Sequence, residues 1–111
     1  MKSNVKKSVK SIKSYLPSGH PHIITKEEGK ITHSIGLTSS PKRGHHKNIK
    51  LSKNPNPNSE KDSYLHDYLT EDYSKNYRQN KKYENWSISK EDEEKIKIIS
   101  KKKPQSRIKK R

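Results

Sequence analysis

The chain has 111 residues, 23% of them hydrophobic and 35% charged, with a formal net charge of +15, no Cys, no Phe and Met1 as its only Met. That length holds one domain, and so few apolar side chains exclude a large core: a folded unit has to be thin and to rely on its Tyr rings, on a partner or on a second copy of itself. The absence of Cys excludes a disulfide-stapled scaffold and Cys-ligated zinc, no apolar run approaches the roughly 18–20 residues of a membrane span, and no hydrophobic signal region follows the basic start at residues 1–7.

Charge divides the chain into three blocks. Residues 1–59 hold 12 Lys/Arg against Glu27 and Glu28 alone, residues 60–99 are nearly balanced, and residues 100–111 hold 7 basic and no acidic residues. A surface this positive attracts polyanions. Each Lys or Arg that reaches a phosphate releases counterions, so RNA or DNA is the expected partner, bound in a steeply salt-dependent way; an acidic protein or an anionic lipid is the alternative. The composition suits a cytoplasmic protein, and its Lys, Asn and Ile richness suits an AT-rich genome.

In chain order, Val5, Val9, Ile12 and Leu16 share one face of a helix, so residues 1–18 read as a basic arm able to form a short amphipathic helix on a partner. His22-Ile23-Ile24-Thr25 is a short β-branched run, Glu27-Glu28-Gly29-Lys30 a hairpin turn, and Ile31, His33, Ile35 and Leu37 alternate with polar residues as a half-buried strand. Pro41 and Gly44 punctuate a loop. A third strand follows over 48–52 with Ile49 and Leu51 inward, and Pro55 and Pro57 end the sheet run. Tyr64, Leu65, Tyr68 and Leu69 have helical spacing, although a strand fits them nearly as well; residues 70–85 are polar. Ser89 with Asp92 three residues on starts the best-specified helix. Acidic residues fill its first turn and Lys101–Lys103 follow its end; Ile96 and Ile99 form its buried face, with Trp86 and Ile88 packing before it.

The chemistry concentrates in residues 38–47, where hydroxyls, His45, His46 and the three cationic side chains Lys42, Arg43 and Lys47 share ten positions. Hydroxyls and amides take phosphate oxygens, and Arg takes them bidentately; His beside such a site moves protons near neutral pH. Metal-free RNA cleavage needs a base for the 2′-hydroxyl, an acid for the leaving 5′-oxygen and a cation for the phosphorane. A solvated basic loop that only positions a backbone is the alternative. No metal site and no cofactor are expected: the His20-x-His22 pair has no matching carboxylate or second pair, and glycine-rich phosphate loops are missing.

A strand opening at His20-Pro21-His22-Ile23-Ile24, a second ending in Ile35-Gly36-Leu37-Thr38-Ser39-Ser40, a Lys/Gly loop and the strand Asn48–Leu51 together resemble the MazF/PemK toxins. The resemblance implies a small dimeric SH3-like barrel that cleaves mRNA without metal and is neutralised by an acidic antitoxin. It places Thr38 at the catalytic-loop Thr and His20 where the family has a catalytic Arg. The family's first barrel strand with its Gly-Asp motif is absent. The setting it suggests is a phage or mobile element of low-GC bacteria.

The expected architecture is therefore α+β: a small SH3-like antiparallel sheet or barrel over residues 20–100 closed by a C-terminal helix, with a basic arm over 1–19 and a basic tail over 101–111. The leading expectation is a metal-independent endoribonuclease, with His20 and Thr38 catalytic and Lys42, Arg43, His45, His46, Lys47 and Lys50 holding nucleic acid. The alternatives are a non-enzymatic nucleic-acid-binding accessory protein and an interaction protein that binds an acidic partner. A homodimer is expected because the core is thin.

Overall fold

Ile23 and Ile35 face each other across two antiparallel strands, both fully buried, and the rest of the molecule is arranged around that pair. The computed structural model describes residues 11–108. Strand β1 (Ile12–Tyr15) pairs with β2 (His20–Glu28), and β2 pairs with β3 (Ile31–Thr38) through a turn in which Gly29 takes φ +63°, a left-handed conformation costly to any residue with a Cβ. A short ribbon of β4 (Lys42–Arg43) and β5 (His46–Lys47) stands apart from the sheet. Then β6 (Ile49–Lys50) and β7 (Tyr64–Leu65) extend the far end of β3. Strand β8 (Thr70–Tyr73) pairs with β3, β9 (Tyr77–Arg78) with β1, helix α1 (Lys90–Ser100) follows, and β10 (Gln105–Ser106) lies parallel to β8.

This is a small α+β fold with a mostly antiparallel sheet and one C-terminal helix. The sheet is open rather than a closed barrel: its order is β10–β8–β3–β2–β1–β9, and the two end strands do not pair. Closing a barrel requires edge strands long enough to pair in register, and each of these has two residues. The sheet curls instead, so that the Tyr15 hydroxyl on β1 donates to Asp72 on β8 across the two intervening strands.

One face carries the apolar core. Ile23, Ile35, Leu37, Leu51, Leu65 and Leu69 meet Ile88, Ile96 and Ile99 of the helical segment, with Ile12, Ile49 and Trp86 at the margin. The helix begins as its sequence dictates, with Ser89 Oγ accepting from the Asp92 N–H at 3.2 Å. The opposite face was expected to be wet, and it is not: Thr32 and Ser34 on β3 are fully buried. Tyr15 and Tyr77 fold over them, their rings 5.0 Å apart. Tyr77 and Ser34 share a hydrogen bond of 2.8 Å, and Thr32 Oγ1 shares one of 2.7 Å with Ser74 Oγ. With no Phe in the chain, tyrosines cover this face and bring hydroxyls that need partners.

The ordered unit is wider than residues 20–100. Ile12–Tyr15, expected on a helical arm, is a strand, because pairing with β2 places Ile12 against Ile23 on the core face. Val5 and Val9 lie outside the described residues. At the other end Gln105–Ser106, expected in the tail, is held to β8 by Gln105 N–H to Leu69 O and Arg107 N–H to Glu71 O, both 2.7 Å. Tyr64–Leu69, open between helix and strand, forms β7 and a bend. Among the described residues no helix is long and apolar enough to cross a membrane.

Asp92 fastens the helix to the sheet. It is 1% exposed and accepts from the backbone N–H of Ser52 at 2.8 Å and of Lys53 at 3.3 Å, and from Lys95 Nζ at 3.1 Å. Burial alone raises its pKa, but these bonds with that from Ser89 outweigh burial and hold it below the ordinary aspartate value. The stabilisation is complete above that ordinary value and is lost as pH falls through the lowered one. Asp92→Ala leaves two backbone donors without an acceptor and should cost about 1–3 kcal/mol in urea unfolding at pH 7; an unchanged midpoint would remove Asp92 from this role.

Candidate functional site

On the tyrosine-covered face, β3 passes beneath two imidazoles, and the residue there is Gly36. A Cβ at this position would lie 2.4 Å from His66 Nδ1, 2.6 Å from His66 Cε1 and 3.2 Å from His22 Nε2. Glycine is needed here for space, not for backbone conformation. His66 lies against it, its backbone N–H donating to Gly36 O at 2.9 Å. The His22 ring meets His66 edge-on at 6.3 Å, and Tyr68 stacks on His66 at 5.0 Å and 14°.

This stack floors a cavity of about 350 Å³. His20 enters from the start of β2 and Thr38 from the end of β3. The β4–β5 ribbon brings Lys42 and Arg43, and the chain after β10 brings Arg107. The ribbon is pinned where it leaves the sheet: Asn48 donates from its backbone to Pro41 O at 2.9 Å and from its side chain to Ser40 O at 3.0 Å. Arg43 Nη1 donates to the Tyr68 hydroxyl at 2.6 Å, so the guanidinium is tied to the ring that stacks on His66. Thr38 Oγ1 accepts from the Ser40 N–H at 3.1 Å, which leaves its own proton to donate. Among the described residues no carboxylate lines the cavity.

Its electrostatics suit an anion. His22 is pushed down to about 3, first by burial and then by the positive charges of His66, His20 and Arg107. His66 is pushed down to about 4, again by burial first and then by Arg43, His20 and Arg107. Both imidazoles are therefore neutral near pH 7. The His22 Nδ1 is engaged with Ser34 Oγ at 2.8 Å, leaving Nε2 for the cavity. Tyr77 beneath is raised to about 12, chiefly by burial, with the Ser34 bond opposing. Tyr15 is raised by burial and by its bond to Asp72.

Of the residues singled out in the sequence, His20, Thr38, Lys42 and Arg43 meet in this cavity. His45, His46, Lys47 and Lys50 do not line it: the first three are exposed on the ribbon, and Lys50 faces Asp62 at 3.6 Å on the other side of β6. Sequence reasoning missed His22, read only as half of a metal pair, and His66, Tyr68 and Arg107. A His between Leu65 and Asp67 carries no local signal, and Arg107 is delivered by parallel pairing of β10 that no periodicity announces. Among the described residues no three His, Asp or Glu side chains are grouped as a metal site. Comparison with protein-family models, curated proteins and solved structures finds no match to this chain.

The close fit over Gly36 has a measurable cost. Gly36→Ala should destabilise by about 1–3 kcal/mol through overpacking, and His66→Ala should relieve most of that in the double variant, a coupling that additive effects would contradict. The buried imidazoles also set a pH dependence. The unfolded chain protonates them near 6.5, the folded protein only near 3 and 4, so their contribution is complete above about pH 6.5 and is lost as pH falls towards 4. Between pH 7 and 5 this removes about 2 kcal/mol for His22 and less for the half-buried His66. Urea unfolding at several pH values should show the slope, and His22→Asn should flatten it; an equal slope in that variant would assign it elsewhere.

Proposed function

We propose that this protein binds RNA and cleaves it without a metal, acting in the Gly36 cavity. The observation that carries the reading is the convergence there of side chains from both ends of the chain: the buried His22 and half-buried His66, the exposed His20, the Thr38 hydroxyl with its proton to donate, and three fixed cations, with no carboxylate among the described lining residues. A phosphodiester is the anion whose chemistry uses all of these.

In the proposed reaction the ribose 2′-oxygen attacks phosphorus. Its proton passes to His66, whose basicity, depressed by burial and by Arg43 and Arg107, rises when the bound phosphate offsets those charges. The bond to the 5′-oxygen breaks, and His20 at the rim gives that oxygen a proton. The products are a 2′,3′-cyclic phosphate and a 5′-hydroxyl. Arg43 and Arg107 balance the charge on the phosphorane, and Thr38 donates to one of its oxygens. His22, bonded to Ser34 beneath, positions the other rings.

The likeness to MazF/PemK toxins and an SH3-like ancestry of the sheet belong to the same proposal. In its support, His20 and Thr38, which lie side by side at the open end of the β2–β3 hairpin, both reach the cavity. Where that family has a catalytic Arg this chain has His20, and here Arg43 and Arg107 provide the fixed charge that a histidine does not. A homodimer, and a small acidic inhibitor competing with RNA for these cations, follow from the family reading. The exposed ribbon with Lys42, Arg43, His46 and Lys47 favours a second reading, nucleic-acid binding without chemistry. Binding alone has no use for two imidazoles buried in a neutral state.

The test is cleavage of end-labelled mixed-sequence RNA in EDTA at about 150 mM salt, where non-specific binding is damped. Wild type should give discrete fragments with cyclic phosphate ends. His20→Ala, Thr38→Ala and His66→Gln should each slow cleavage by about 100-fold or more while retaining binding. Arg107→Ala should also weaken binding and lower the salt slope by about one. Intact RNA, or fragments unaffected by all three variants, would defeat the enzymatic reading and leave the binding one.

A further inference from the structure

The first cavity does not end at His20 and Thr38. A second hollow of about 350 Å³ shares His20, Thr38 and Ser40 with it and continues past Asn56 to Trp86. On the other side of Trp86 a third opens, about 530 Å³, bounded by Asn80 and Tyr83. The first two hollows adjoin at His20, Thr38 and Ser40, and the half-buried indole of Trp86 lines both the second and the third.

The middle hollow differs in character from the first. The first holds the fixed cations Arg43 and Arg107; this one holds an aromatic wall, side-chain amides and hydroxyls, with Lys61 and Asp62 offsetting each other in charge. Its wall is already rigid. The Asn56 N–H donates to Asn54 Oδ1 and the Asn58 N–H to Asn56 Oδ1, both 2.9 Å, and Asn54 Nδ2 donates to Lys61 O at 2.9 Å. Pro55 is buried, and its carbonyl accepts from the Ser87 N–H at 3.1 Å, which ties the loop to the residue after Trp86. Tyr83 supports the indole from behind, ring centroids 4.7 Å apart. With its oxygen occupied by Asn58, Asn56 has its NH₂ to offer to a ligand.

A phosphate-binding cavity that opens into a preformed aromatic and amide hollow matches the way single-stranded RNA is held, by its backbone on cations and by an unstacked base on an aromatic ring with its edge hydrogen-bonded. We infer that the nucleotide next to the scissile phosphate places its base in the Trp86 hollow, stacked on the indole, with the Asn56 amide donating to a ring nitrogen or carbonyl on the base edge. Trp86 and Asn56 are then residues that position and select the substrate. The inference rests on the RNA reading of the first cavity.

Trp86 is the only Trp in the chain, so the fluorescence comes from the one indole proposed to stack on the base. The probe is a mixed-sequence 2′-O-methyl oligoribonucleotide of about eight nucleotides, within the span of single-strand sites and not cleavable through its blocked 2′-oxygens. Its binding is followed by anisotropy of a dye-labelled copy and by Trp fluorescence with the unlabelled one. Quenching should track binding, an abasic oligomer should bind without quenching, and Asn56→Ala should bind about ten-fold more weakly. Binding without quenching, or equal quenching by the abasic oligomer, overturns the base site and leaves the ribonuclease reading standing. Quenching by a protein that leaves RNA uncut supports the base site while the catalytic reading falls. No binding of the oligomer overturns both.

Discussion

The structure turns on the missing side chain at Gly36. Because nothing projects from β3 at that point, His66 can lie on the strand with Tyr68 stacked on it and Arg43 bonded to Tyr68. An imidazole, a phenol and a guanidinium are thus ordered outward from one backbone position, and His22 fits edge-on beside them. A methyl group there would displace the first member of the series and, through it, the rest. The floor of the site, His22 and Gly36, belongs to paired central strands, and the segments that bring His66, Tyr68, Arg43 and Arg107 are held to it by hydrogen bonds and ring stacking.

The second constraint is composition. A chain with 23% hydrophobic residues cannot cover both faces of a sheet with aliphatic side chains. It covers one face with Ile and Leu beneath α1 and the other with tyrosines whose hydroxyls find Ser34 and Asp72. That polar layer desolvates His22 and His66 while the exposed cations around them keep the cavity positive. The same economy explains Asp92, which joins helix to sheet by hydrogen bonds where apolar contact is scarce. Function and stability thus share one feature: charged and polar groups held in place where other small domains have aliphatic packing.

Local signals in the sequence were read well. The Ser89 cap, the Ile96 and Ile99 face and the turn at Gly29 reflect interactions within a few residues, and the structure contains each; the alternation through Ile35 and Leu37 gives a strand but not a half-buried one, because Thr32 and Ser34 are buried as well. The long-range pairings were not legible. Ile12–Tyr15 has helical spacing yet joins the sheet, because β2 offers it a ladder and Ile23 a partner. Thr32 and Ser34 look solvent-facing until Tyr77, more than forty positions away, is folded over them. The site divides the same way. His20 and Thr38 are singled out by the resemblance to the MazF/PemK toxins, and Lys42 and Arg43 by the clustering of cations and hydroxyls in one stretch. His66 lies between β7 and β8 and Arg107 follows β10, and no spacing relates them to Gly36.

The central claim is that a phosphate sits among these imidazoles and guanidiniums. It is tested most directly by following the His66 ring by NMR through a pH titration, with and without adenosine 3′-monophosphate. The account predicts that His66 alone stays neutral down to about 4, and that the bound anion, by offsetting Arg43 and Arg107, raises its titration by about one unit or more. A His66 titration unmoved by saturating nucleotide, with shifts confined to His45 and His46 on the ribbon, would contradict it.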